Sequence, residues 1–185
     1  MGVTYLLTLL RYACERVNIP KAFDGQTLYV DGFVWLHELV AHHAREVVIL
    51  KNLTPVVNEF VWRCLQHLQK GRRVLIVLDG MRHTSKYASN EARHLRRVKA
   101  LMEVELALDE DEEGLTIDPT ALRLSAAVSE DLVNALIDAL RNHGIAYLRA
   151  PYEADGQLAY CALQHPDASI VWTCDSDLQN WFAAS

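Results

Sequence analysis

Four short apolar runs punctuate the chain, and each is followed by acid. Thr27-Leu28-Tyr29-Val30 leads to Asp31, and Val74-Leu75-Ile76-Val77-Leu78 leads to Asp79. Ile145-Ala146-Tyr147-Leu148 precedes Glu153 and Asp155, and Ser169-Ile170-Val171-Trp172-Thr173 precedes Asp175 and Asp177. Runs of this length, rich in β-branched residues, predict buried strands. Between them the apolar positions recur at helical spacing. Phe33 to Arg45 and Pro55 to Gln69 predict amphipathic helices, the second with Val56, Phe60, Cys64 and Leu68 on one stripe and Gly71 closing it. Ser85 to about Leu108 predicts one long charged helix. Ser129 is placed to cap a helix through Leu132, Leu136 and Leu140, with Glu130 and Asp131 in its first turn and Asn142-His143-Gly144 at its end. Glu153 to Leu163 predicts a last helix after the Pro151 turn.

Strands alternating with helices predict an α/β fold: a parallel sheet joined by right-handed crossovers, with helices on both faces. A chain of 185 residues that is 51% hydrophobic can bury a sizeable core and is expected to form one domain. Within it the pattern separates a first region of about residues 1–100, a charged linker of about 103–128, and a second region of about 129–185. Asp109 to Pro119, with Gly114 inside it, reads as a mobile segment.

Composition narrows the function classes. No apolar stretch approaches the roughly 18 residues of a spanning helix, and the start lacks the pattern of a secretory signal. Cys14, Cys64, Cys161 and Cys174 contain no CxxC pair, so neither a zinc ribbon nor a disulfide framework is expected, and a reducing compartment fits. The net charge of −6 argues against simple coating of nucleic acid, but the charge is polarised. From Arg82 to Lys99 stand Arg82, Lys86, Arg93, Arg96, Arg97 and Lys99 against the single acid Glu91. Glu103 to Glu113 then holds seven acids and no base.

The carboxyl ends of parallel strands are where open α/β sheets bind ligands. Six carboxylates gathered there repel one another unless cations sit between them, and hard oxygen donors suit Mg²⁺ or Mn²⁺. A carboxylate after a strand can also be a helix N-cap or a turn residue. The His42-His43 pair has no acid at ligand spacing in the sequence and reads as surface.

Longer strings carry a resemblance. Met1-Gly2-Val3, Val30-Asp31-Gly32-Phe33-Val34-Trp35-Leu36-His37 and Val77-Leu78-Asp79-Gly80 contribute to it. So, above all, do Ala150-Pro151-Tyr152-Glu153-Ala154-Asp155-Gly156-Gln157-Leu158-Ala159-Tyr160 and Thr173-Cys174-Asp175-Ser176-Asp177. In this order they resemble the flap endonuclease, XPG and exonuclease-1 superfamily of structure-specific 5′ nucleases, most closely its exonuclease-1 branch.

The resemblance implies a PIN-like nuclease fold with a charged helical arch. It also implies Mg²⁺-dependent hydrolysis of DNA at 5′ ends, flaps or nicks, in replication or repair and in the nucleus. Asp31, Asp79, Glu153 and Asp155 would hold one Mg²⁺ and Asp175 and Asp177 would contribute to a second, with Mn²⁺ able to substitute. Lys86 and Arg93 would reach the scissile phosphate from the arch helix, with Arg96 and Arg97 as further DNA contacts. Gly2 would lie near bound DNA and His37 would stack on a nucleobase. Replication or repair proteins are the partners it suggests.

The chain departs from the family pattern in two ways. Cys174 stands where the family has an acid, and family members continue beyond the position of Ser185 with another metal-binding Asp and a helix-two-turn-helix region, expected to be absent here. Two other readings stay open: a catalytically impaired module that binds nucleic acid or protein, and a PIN-like endoribonuclease.

Overall fold

The computed structural model describes residues 25–81, 87–110 and 117–174, with side chains of the middle segment described from residue 91. In chain order the elements are β1 (Thr27–Asp31), α1 (Gly32–His42), α2 (Ala44–Val48), α3 (Thr54–Gln69), β2 (Arg73–Leu78) and α4 (Tyr87–Glu110). Then follow α5 (Pro119–Ser125), α6 (Glu130–Asn142), β3 (Ala146–Arg149), α7 (Ala154–Gln164), a 3₁₀ turn (Pro166–Ala168) and β4 (Ser169–Trp172). The four expected strands are all present, and every pairing is parallel, in the order β3-β2-β1-β4.

The chain forms two compact units. One comprises residues 1–34, 64–81 and 145–185 and contains the sheet. On one sheet face Tyr29, Leu75, Val77 and Val171 pack with Ala150, Ala154, Leu158, Ala159 and Ala162, so α7 lies across it. On the other face Leu28, Val30, Val74, Ile76 and Leu78 are buried too. Burial on both faces explains why the central strands read as nearly unbroken apolar runs rather than alternating ones. Cys64 is fully buried in this unit, which pushes its thiol up to about 12. Cys64, Cys161 and Cys174 are all free thiols.

The second unit, residues 35–63 and 82–144, is helical. Trp35 meets Phe60 edge to face at 5.3 Å between ring centroids. Val48, Val104, Ile117 and Ala121 form a core that joins α2, α4 and α5. The helix expected from Phe33 to Arg45 breaks at His43, whose φ of −97° and ψ of 32° turn the chain into α2. Of the stretch read as a linker, residues 103–110 continue α4 and Pro119–Ser125 form α5. Asp118 caps α5 by accepting from the amides of Thr120 and Ala121, with proline at the first helical position. Ser129 caps α6 through the Leu132 amide as expected, and Leu132, Leu136 and Leu140 form its buried stripe.

One close approach shapes the carboxyl end of the sheet. Gly80 donates its N–H to the Tyr152 carbonyl at 2.6 Å and Met81 donates to the Pro151 carbonyl at 3.1 Å. A Cβ on Gly80 would collide with the Ala150 carbonyl oxygen, so glycine is required by space rather than by φ. Gly156 in α7 has nothing within 4 Å of a built Cβ. Gly80→Ala is therefore expected to destabilise by about 1–3 kcal/mol through overpacking. Gly156→Ala should gain about 0.5–1 kcal/mol by restricting the unfolded chain. Thermal denaturation of the two variants against the parent checks the opposite signs.

Candidate metal centre

Parallel pairing brings all four strand carboxyl ends to one edge. The register sets Asp31 beside Val77, Leu78 beside Arg149 and Val30 beside Trp172. Asp31 ends β1 and is only 9% exposed, and the chain passes into α1 with no loop. Its Oδ1 accepts from the amides of Phe33 at 2.9 Å and Val34 at 3.3 Å, the geometry of a helix N-cap. The turn fits because residue 32 is glycine: a Cβ there would stand 2.5 Å from Leu78 Cδ2 and 3.0 Å from Ile76 Cγ2.

Asp79 follows β2 and reaches across the edge. Its Oδ1 accepts from the Ala154 amide at 2.7 Å, a contact between residues 75 apart in the chain. Ala154 opens α7, and Glu153 at the cap position makes no side-chain cap bond. The Asp79 carboxylate thus does for α7 what a capping side chain normally does from within the helix. Arg149 Nε adds a donor to the Asp79 carbonyl at 3.4 Å. Glu153 has extended backbone, φ −86° and ψ 148°, whereas Asp155 lies in the first helical turn. The two carboxylates therefore leave the chain from different backbone conformations.

Asp31 and Asp79 each meet the amide end of a helix, α1 and α7, where the dipole favours negative charge. Asp79, Glu153 and Asp155 are half-buried. An ionised carboxylate offers about four acceptor sites, so a bond to one amide leaves coordinating capacity. Oxygen donors of this kind at a half-buried sheet edge fit a hard divalent cation.

Asp175 and Asp177, like Gly2 and Lys86, lie outside the described residues. His37 on α1 and Arg93 and Arg96 on α4 are exposed, and Arg97 is half-buried; all four belong to the second unit.

A different cluster went unread in the sequence. Among the described residues, the group of three or more potential ligand side chains whose atoms lie within 4.8 Å of one another is His42, His43 and Glu59. The reading that the histidine pair lacks an acid partner is corrected, because His43 Nε2 stands 2.7 Å from Glu59 Oε2. That acid is 16 residues away on α3, and only tertiary packing delivers it. Burial alone would lift the Glu59 carboxyl, but hydrogen bonds from His43 and Arg63, with their charges, hold it below its ordinary value. Desolvation likewise opposes the Arg63 charge, and the bonds to Glu38 and Glu59 overcome it and raise that guanidinium further.

Residues 1–100 match the XPG N-terminal domain family. The chain is 33% identical over 178 residues to exodeoxyribonuclease 1 of Schizosaccharomyces pombe, covering 96% of this chain and 30% of that protein. It is 31% identical over 179 residues to exonuclease 1 of Xenopus laevis, covering 96% of this chain and 24% of that protein. The chain therefore spans less than a third of the length of these relatives. Its fold matches the catalytic core of Rad2 in complex with DNA substrate with a TM-score of 0.63, at 22% identity, over 96% of this chain and 48% of that one.

Asparagine at position 31 or 79 keeps a hydrogen-bond acceptor and removes a charge. Without divalent cations, Asp31→Asn and Asp79→Asn are expected to melt within a few degrees of the parent, because an acceptor survives for capping while only the charge-assisted part of the bond is lost. With millimolar Mg²⁺ the parent should gain stability by mass action and each variant should gain less. Thermal melts with and without Mg²⁺ decide it, and an unchanged parent melt in Mg²⁺ counts against a metal centre at this edge.

Proposed function

Because the chain belongs to the XPG, flap endonuclease and exonuclease-1 superfamily of 5′ nucleases, on its exonuclease-1 branch, we propose that it is a divalent-metal-dependent 5′ nuclease acting on DNA ends, flaps or nicks. The observation that supports the reading is that Asp31, Asp79 and the segment carrying Glu153 and Asp155 all follow strands at the same end of the parallel sheet, with Asp79 bonded to the Ala154 amide. Its relatives by name, exodeoxyribonuclease 1 and exonuclease 1, and the Rad2 core with DNA supply the substrate class. Nuclear DNA repair or replication is the setting that follows from those relatives, with proteins of those processes as partners.

Asp31, Asp79, Glu153 and Asp155 would hold one Mg²⁺, and Asp175 and Asp177 would contribute to a second. When bound, such ions supply Lewis-acid polarisation of the scissile phosphate and stabilisation of the leaving oxygen. This chain's own residues orient and neutralise. The Ala154, Phe33 and Val34 amides hold two of the carboxylates in place. Lys86 and Arg93 offset charge that builds on the phosphate, Arg96, Arg97 and Gly2 contact the DNA backbone, and His37 stacks on a base. The product is a 5′-phosphate.

A non-catalytic DNA-binding module is the second reading, and one observation favours it. The amides bonded to Asp31 and Asp79 give the fold its own reason to keep those two acids.

Hydrolysis of a labelled duplex with a 5′ flap or a recessed end separates the two. Metal-dependent cleavage that EDTA abolishes and Asp79→Asn lowers by about 10²-fold or more is the expected result. Binding of the same DNA without cleavage supports the module. Arg93→Ala should reduce turnover with little change in DNA affinity; an affinity loss alone would make Arg93 a positioning contact.

A further inference from the structure

We propose that the second unit carries a transition-metal site of its own, in which His42, His43 and Glu59 bind an ion of the Zn²⁺ class. The inference is independent of the nuclease reading, since none of the three belongs to the carboxylate edge.

Consecutive residues in a helix do not face each other. His42 and His43 escape that rule because His42 ends α1 and His43 leaves the helical conformation to start α2. Their rings come to 4.9 Å between centroids, nearly perpendicular at 86°. Glu59 on α3 completes the set, with one ligand atom from each residue within 4.8 Å of the others. Zinc bonds of about 2.0–2.2 Å place ligand atoms roughly 3.4 Å apart in a tetrahedron. The 2.7 Å contact from His43 Nε2 to Glu59 Oε2 therefore has to open by less than 1 Å, and the exposed His42 ring, edge-to-face on His43, has to turn its ligand nitrogen inward.

The surroundings are those of a supported ligand set. Metal-binding imidazoles usually turn their second nitrogen to a carboxylate, and ligand carboxylates are themselves hydrogen-bonded. Glu46 Oε2 lies 4.0 Å from His43 Nδ1, too far for a hydrogen bond without a side-chain adjustment. Arg63 Nη2 holds the other Glu59 oxygen, Oε1, at 3.1 Å and is anchored by Glu38 at 3.0 Å. Beside them opens a cavity of about 420 Å³ lined by Glu38, His42, Glu59, Arg63 and Arg123, with room for solvent to complete the coordination. Two imidazoles and one carboxylate select Zn²⁺ over Mg²⁺, the reverse of an all-oxygen set.

The test is isothermal titration of the full chain with Zn²⁺ in excess Mg²⁺, paired with Co²⁺ as a visible-absorption probe. One Zn²⁺ per chain is expected, with a Co²⁺ spectrum of low coordination number that Zn²⁺ erases. His42→Ala removes an exposed ligand, and Glu59→Gln removes the carboxylate charge while keeping its shape. Each should weaken Zn²⁺ by about 10-fold or more, and Asp79→Asn should leave it unchanged. Circular dichroism verifies that the variants are folded, with His42→Gln as the substitute if His42→Ala is not. Unchanged Zn²⁺ affinity in folded His42 and Glu59 variants overturns the site. So does binding that disappears with Asp79→Asn instead.

Discussion

The hydrogen bond from the Ala154 amide to the Asp79 carboxylate ties the end of one strand to the start of a helix that follows another. Without it α7 would begin with an uncapped amide, because Glu153 makes no side-chain cap bond. A hydrogen bond to an ionised group contributes about 1.5–3 kcal/mol, more than a neutral one. Its geometry depends in turn on Gly80, which lets the corner after β2 lie against the 150–152 backbone. Sheet edge, helix start and three of the acids are thus positioned by one small set of backbone contacts.

The arrangement manages an electrostatic cost. Carboxylates at one end of the sheet add negative charge there, and the fold meets two of them with donors: two amides at the start of α1 and one at the start of α7. Capping and coordination are compatible demands on a group with two oxygens. They also make Asp→Ala ambiguous, since alanine removes both functions. Asparagine separates them, keeping the acceptor and deleting the charge.

Much of this was legible because strand and helix periods are local properties. The four strands, the α3 stripe through Val56, Phe60 and Cys64 but not the exposed Leu68, and the Ser129 cap follow from apolar spacing and one hydroxyl. Parallel pairing then carries the acids to one edge without any knowledge of strand order. The long charged helix expected to about Leu108 was legible although acids crowd it from residue 103, and it runs to Glu110. There Glu103 and Glu105 are the exposed face of a helix whose other face buries Ala100 and Val104. The Asp118-Pro119 pair, an N-cap followed by proline at the first helical position, was the local signal for α5 that the charge run obscured. Glu59 beside His43 had no local signal. A contact between α3 and the α1–α2 turn exists only after the helices pack, so no reading of spacing along one helix finds it.

Donor chemistry separates the two clusters more firmly than their places in the chain. The sheet edge offers oxygen alone, and Asp31 and Asp79 are held by backbone amides, which compete weakly with a hard cation for the remaining lone pairs. The α1–α3 cluster offers nitrogen, and its carboxylate is held by a guanidinium, which keeps Glu59 charged and oriented. Magnesium gains little from imidazole and zinc gains much. A chain with both sets can sort two metals by chemistry alone, so occupancy of one need not report on occupancy of the other. On the proposed assignments, stability changes in Mg²⁺ report on the edge that Asp79 organises, and those in Zn²⁺ against a Mg²⁺ background report on the histidine pair.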